Sequence, residues 1–169
     1  MVLEDPRSRN LHTLSAFYRD GDLRKKAVLE WRFAVQGLTE FLTGYVLYRE
    51  RGERACYEYW LKGTYTPCQI SFLNYVRIYG ALSRVLVPLR AFASIYFHDE
   101  GIDWRQRYED FLHRYRLPKL FRGWVSSFEF EDMVIEHLRR EHGVGLAKEF
   151  EELVKEDPWV VLDYSKMKR

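Results

Sequence analysis

The sequence predicts an all-α chain, a single helical domain over 1–169 arranged as a bundle of about six or seven helices. Three observations predict it. Apolar residues recur at i, i+3, i+4 and i+7 through most of the chain; capping residues precede several of those runs; strand-like alternation with hairpin turn residues is nearly absent.

From the N-terminus, a short helix is expected around 11–19, after which Gly21 breaks the pattern and Asp22 can cap the next helix. Ala27, Trp31, Ala34, Val35, Leu38, Phe41, Leu42, Tyr45 and Val46 then hold a single helical face. Gly37 and Gly44 weaken that helix by ~1 kcal/mol each relative to Ala. Arg51-Gly52 ends or bends it. Glu53–Leu61 reads as a second helix stopping at Gly63; the alternative is a minor β-hairpin near 45–62, turning at Arg51-Gly52-Glu53.

Thr66-Pro67-Cys68-Gln69 combines an N-cap Thr, a Pro at the first helical position and a Gln three residues after the cap. The stripe Phe72, Val76, Tyr79, Leu82 and Leu86 follows. Pro88 must end or kink this helix, because it lacks an amide hydrogen and clashes with the preceding turn. An apolar run over 89–97 reaches His98-Asp99-Glu100-Gly101. Asp103 and Gln106 repeat the capping pattern ahead of Trp104, Tyr108, Phe111, Leu112 and Tyr115, and Leu117-Pro118 stops that helix. Ser126 with Glu129 opens another, placing Phe130, Met133, Val134, His137 and Leu138 inward until Gly143. Leu146, Phe150, Leu153 and Val154 mark one more, ended by Asp157-Pro158. The short apolar tail 159–164 is expected to pack down.

Hydrophobic residues at 47% and aromatic residues at 17% supply a core too large for a disordered chain. A net charge of +2 excludes a uniformly basic polyelectrolyte binder. The charge is uneven, however: 102–125 holds six basic residues against three acidic ones, and 126–157 holds four against ten. Cys56 and Cys68 form neither a secreted disulfide framework nor a CxxC pair. The opening Met1-Val2-Leu3-Glu4-Asp5-Pro6 lacks the signal-peptide pattern, and no stretch approaches the ~18 apolar residues of a membrane span. A cytoplasmic location without a membrane partner is therefore expected. Five Asn and Gln against nineteen Arg is a heat-adapted composition, so a thermophilic source is expected as well.

Patterns that carry chemistry are few. The five histidines (His12, His98, His113, His137 and His142) include no HExxH and no pair at i, i+4. Asp110-x-x-His113 stands alone, whereas a di-iron bundle needs two such pairs with further Glu, so no metal is expected. No GxSxG is present, and His142-Gly143-Val144-Gly145 lacks the third glycine and the preceding strand of a phosphate loop. A helix cap followed by a fresh helix explains it, and no cofactor is expected. Arg7-x4-His12 and Arg107-x5-His113 match the Arg–His spacing of helical ribonucleases of the HEPN type. With nineteen Arg and five His in 169 residues, chance supplies about 1.7 such matches, and Tyr108 stands where that family has a small polar residue. No catalytic residue is assigned.

The most suggestive feature is the basic, aromatic stretch 102–125. Trp104, Tyr108, Tyr115, Phe121 and Trp124 interleave there with Arg105, Arg107, Arg114, Arg116, Lys119 and Arg122. Single-stranded nucleic acids bind through cations along the backbone and rings that stack bases. The competing reading puts Trp104, Tyr108, Phe111, Leu112 and Tyr115 on a buried face. Arg107 and Arg114 then flank it on one side, Arg105 and Arg116 on the other, with Asp110 able to pair with Arg114. The turn 117–124 is the better placed for exposure.

The sequence therefore points to a non-enzymatic helical binding module that takes single-stranded nucleic acid through 104–124. Arg105, Arg107, Arg114, Arg116, Lys119, Arg122 and Trp124 are its candidate contacts. The alternative is a helical structural subunit of a larger protein or nucleoprotein assembly, its acidic 126–157 docking a protein partner or a second copy. A helical ribonuclease-type enzyme is the third.

Overall fold

The computed structural model describes residues 23–61, 67–96, 104–118, 127–156 and 158–169. Eight α-helices lie in them: α1 (Leu23–Arg51), α2 (Glu53–Leu61), α3 (Pro67–Val85), α4 (Leu89–Tyr96), α5 (Trp104–Arg114), α6 (Ser127–His142), α7 (Val144–Lys155) and α8 (Pro158–Val161). A 3-10 turn, Tyr164–Lys166, follows. No strand occurs among the described residues. The chain is all-α, as its periodicity requires. The helix expected around 11–19, and the caps at Asp22, Thr66, Asp103 and Ser126, lie outside the described residues.

The alternative of a hairpin near 45–62 is corrected. The Gly52 amide still donates to the Tyr48 carbonyl at 3.0 Å, so the helical ladder of α1 runs to its last residue. Gly52 then takes φ +85, a left-handed conformation that glycine adopts without steric cost, and α2 starts at the next residue. In α2 Cys56 is buried and Tyr59 half-buried, three positions apart, while Glu53, Arg54 and Tyr57 are exposed. That is a helical pattern and not a strand one.

The α1 helix packs chiefly on α3, and α6 and α7 pair with each other against α3. The α6–α7 junction is a single residue. Gly143, at φ +95, ends α6 and precedes the first residue of α7. The Pro88 break between α3 and α4 is resolved in a less local way. The Val87 amide donates to the Leu82 carbonyl at 2.8 Å, which leaves the Ser83 carbonyl without its helical partner. The Lys168 amide donates to that carbonyl at 2.8 Å, and the Lys168 carbonyl accepts from the Leu89 amide, also at 2.8 Å. One residue of the tail, through its N–H and its C=O, thus satisfies both sides of the break.

The tail is held elsewhere too. On α3, Arg77 Nη2 donates to the carbonyls of Val154 and Glu156, and Arg84 Nη1 donates to that of Val160. Val161, Leu162, Tyr164 and Met167 are buried. Gly80 provides the room. A Cβ there would meet Leu162 Cδ2 at 3.0 Å and Val161 Cγ1 at 3.1 Å. Tyr164 inserts between rings of α1, 5.5 Å from Phe41 and 5.9 Å from Tyr45, and its hydroxyl donates to the Phe41 carbonyl.

Phe92 of α4 is the junction of the core. Its fully buried ring lies 5.3 Å from Phe41 of α1, 5.5 Å from Tyr79 of α3 and 5.0 Å from Phe111 of α5. Four helices meet through these rings, with edge-on or tilted geometries that aromatic quadrupoles favour. Replacing Phe92 with Ala is expected to cost about 3–5 kcal/mol of unfolding free energy, read from chemical denaturation, since it removes a large buried ring that three helices share.

Burial holds the Tyr164 hydroxyl well above the ordinary tyrosine value of 10.0. The unfolded chain loses this proton first, so stability contributed by the neutral group is present below about pH 10 and falls as pH rises beyond it. Tyr164→Phe is expected to flatten the alkaline arm of a stability-against-pH curve measured by thermal unfolding. An unchanged slope would contradict that origin.

Candidate binding groove

The α5 sequence WRQRYEDFLHR builds one face into the core and leaves another at its edge. Tyr108 and Leu112 are buried, and the Tyr108 hydroxyl lies 2.9 Å from that of Tyr79. Phe111 is 6% exposed and reaches the Phe92 junction. These residues are core, so the rings of Tyr108 and Phe111 are not stacking platforms. Tyr115 is half-buried, its ring 5.3 Å from that of Phe111.

Beside this face, α4 and α5 enclose an open groove of about 250 Å³. Ala91, Ile95 and Phe111 make it apolar, and Ser94, Arg107, Asp110, Arg114 and Tyr115 supply its polar groups. Arg107, Asp110 and Arg114 stand at i, i+3 and i+7 and therefore share one side of α5. Arg107 Nη1 donates to the Ile95 carbonyl at 3.2 Å, in the last turn of α4, where a cation suits the exposed carbonyls. Asp110 accepts from Gln106 Nε2 at 2.9 Å, the partner that α5 gives it in place of the expected Arg114. Arg114 and Asp110 are exposed. A second hollow, about 80 Å³, lies where the tail meets α1 and α2; among the described residues the charged ones lining it are Glu53 and Asp163. The larger groove is the candidate site.

Of the seven contacts expected from sequence, the fold brings Arg107 and Arg114 together at this groove. Arg116 is elsewhere. It takes φ +53 just beyond α5, its amide donates to the His113 carbonyl at 3.1 Å, and the Leu117 amide donates to the Leu112 carbonyl at 2.8 Å. This is a Schellman cap with arginine at the left-handed position that glycine usually fills. The Arg116 guanidinium then faces Glu141 of α6 at 3.8 Å, both side chains largely exposed. His142 Nε2, 3.2 Å from the Tyr115 carbonyl, joins the same two elements. The Arg105 side chain and residues Lys119, Arg122 and Trp124 lie outside the described set.

Three polar members of the groove were not among the expected contacts: Ser94, Asp110 and Tyr115. For Asp110 a signal existed, its i+3 offset from Arg107. The Arg107–His113 pair of ribonuclease-like spacing sits six positions apart, about 120° around the helix, and His113 is exposed and does not line the groove. Among the described residues no group of three or more His, Cys, Asp or Glu is placed to hold a metal ion, and no helix is long and apolar enough to cross a membrane. Compared with known proteins, the chain matches no family model, no curated protein and no solved structure.

The left-handed cap gives a direct check. Arg116→Gly is expected to unfold at the same or higher denaturant concentration than the parent, because glycine relieves the strain. Arg116→Val, β-branched at the same φ, is expected to lose about 1–2 kcal/mol.

Proposed function

We propose that the chain is a non-enzymatic binding module that takes single-stranded nucleic acid along the α4–α5 groove. The observation that supports this best is that Arg107 and Arg114 line one groove from the same side of α5. Guanidinium groups fork onto phosphate oxygens, and their planes stack on bases. Arg105 within α5, and Lys119, Arg122 and Trp124 after it in sequence, extend the same basic and aromatic character.

The alternative, a structural subunit that docks a protein, has its own supporting observation. Glu129, Asp132 and Glu136 on α6 are exposed at i, i+3 and i+7, and Glu149, Glu152 and Glu156 repeat that spacing on α7 and just past its end. These acidic ridges suit a basic partner or another copy's basic stretch.

Salt separates the readings. A short single-stranded oligonucleotide is expected to bind the purified protein in low salt, with affinity falling linearly on a log–log plot as salt rises. Arg114→Gln should reduce the magnitude of that slope by about 0.7, the value of one single-strand phosphate contact, and Arg114→Glu should weaken binding about tenfold. Fluorescence anisotropy measures both. Affinity that ignores salt, or an Arg114→Glu variant that binds like the parent, would overturn the nucleic-acid reading in favour of the docking one.

A further inference from the structure

We infer that the groove selects nucleotides whose base carries an exocyclic amino group, cytosine over thymine, and that Asp110 is the selecting residue. This rests on the nucleic-acid reading of the same groove and adds what that reading leaves open, which base lies in it.

The order of charges along α5 is the starting point. A rise of 1.5 Å per residue puts Arg107 and Arg114 about 10.5 Å apart along the axis, with Asp110 between them. The carboxylate repels an anion at the middle of the groove, so phosphates are held toward the two arginines and the centre takes something else. The second polar group from α4 agrees. Ser94 Oγ–H already donates to the Ala91 carbonyl at 2.7 Å, so what its oxygen offers a ligand is lone pairs. Both Asp110 and Ser94 therefore present acceptors, and the complementary ligand edge is a donor.

The remaining surface fixes the shape of that ligand. Ala91, Ile95 and Phe111, almost wholly buried, close the bottom of a space of about 250 Å³, so a base entering it is read by its edge and not by stacking on the floor. A flat ring with an amino donor on its edge and a phosphate to either side is a nucleotide of cytosine, adenine or guanine. Among bases of equal size, cytosine shows N4–H2 where thymine shows the O4 acceptor, and carboxylates accept from cytosine N4. At that exocyclic position thymine would set its O4 acceptor against the Asp110 carboxylate, leaving the carboxylate only the single N3–H of the ring.

The test compares short oligo(dC) and oligo(dT) near neutral pH and low salt, against the parent chain and Asp110→Asn. Asparagine keeps an oxygen for Gln106 and removes the charge; circular dichroism confirms that the exposed substitution leaves the fold intact. The parent is expected to bind oligo(dC) about tenfold more tightly, and Asp110→Asn to bring the two affinities within about twofold. Equal affinities in the parent, or a cytosine preference that survives in Asp110→Asn, overturn this inference while the groove remains a nucleic-acid site. Loss of all oligonucleotide binding overturns both, and an acidic peptide bound in an Arg114-dependent way would replace them with a protein ligand.

Discussion

The burial of Phe92 among Phe41, Tyr79 and Phe111 is the constraint on which the rest depends. A helix as short as α4 has little stability of its own, since isolated helices below about 12–15 residues are marginal. Its position comes from the ring it contributes. Phe92 ties α4 to the long α1–α3 pair, and through Phe111 it fixes how close α5 can come. The groove is the gap left over when those rings are in contact, so its width follows from the core, while its chemistry comes from the edge residues of α4 and α5.

A second constraint is the unmet hydrogen bonding at Pro88. Proline interrupts the ladder between α3 and α4, and a buried carbonyl left without a donor costs on the order of 1–3 kcal/mol. The Lys168 peptide removes that cost, and Gly80, Arg77 and Arg84 prepare the path for the tail that delivers it. Helix propensity alone would disfavour glycine inside α3. Close approach of Val161 and Leu162 explains it. The tail is therefore part of what sets the angle between α3 and α4, and through α4 it bears on the groove as well.

Much of this could be read from residues in order. Periodicity located α1, α3 and α5 through α7 and placed Tyr108, Phe111 and Leu112 on a buried face, and Gly143 was recognisable as a cap followed by a fresh helix. At Gly52 a helix–helix corner and a hairpin turn ask for the same residue, so the hairpin stood as an alternative beside the helix that forms over Glu53–Leu61. The left-handed Arg116 gave no signal, because an arginine before Leu117-Pro118 looks like one more flanking cation. Ser94 and Asp110 were invisible as a pair for a different reason. They lie on different helices, and only the packing of Phe92 on Phe111 brings them to one space. Local periodicity says which side of a helix is buried, not which neighbour it is buried against.

The claim that joins core to function is that the ligand lies between α4 and α5. Two-dimensional NMR of the isotope-labelled chain, titrated with oligo(dC) in low salt, tests it directly. Amide shifts are expected to concentrate at Ser94, Ile95, Asp110, Phe111, Arg114 and Tyr115. Shifts gathered instead on the exposed acidic side of α6 and α7, or spectra unchanged at saturating oligonucleotide, would contradict it.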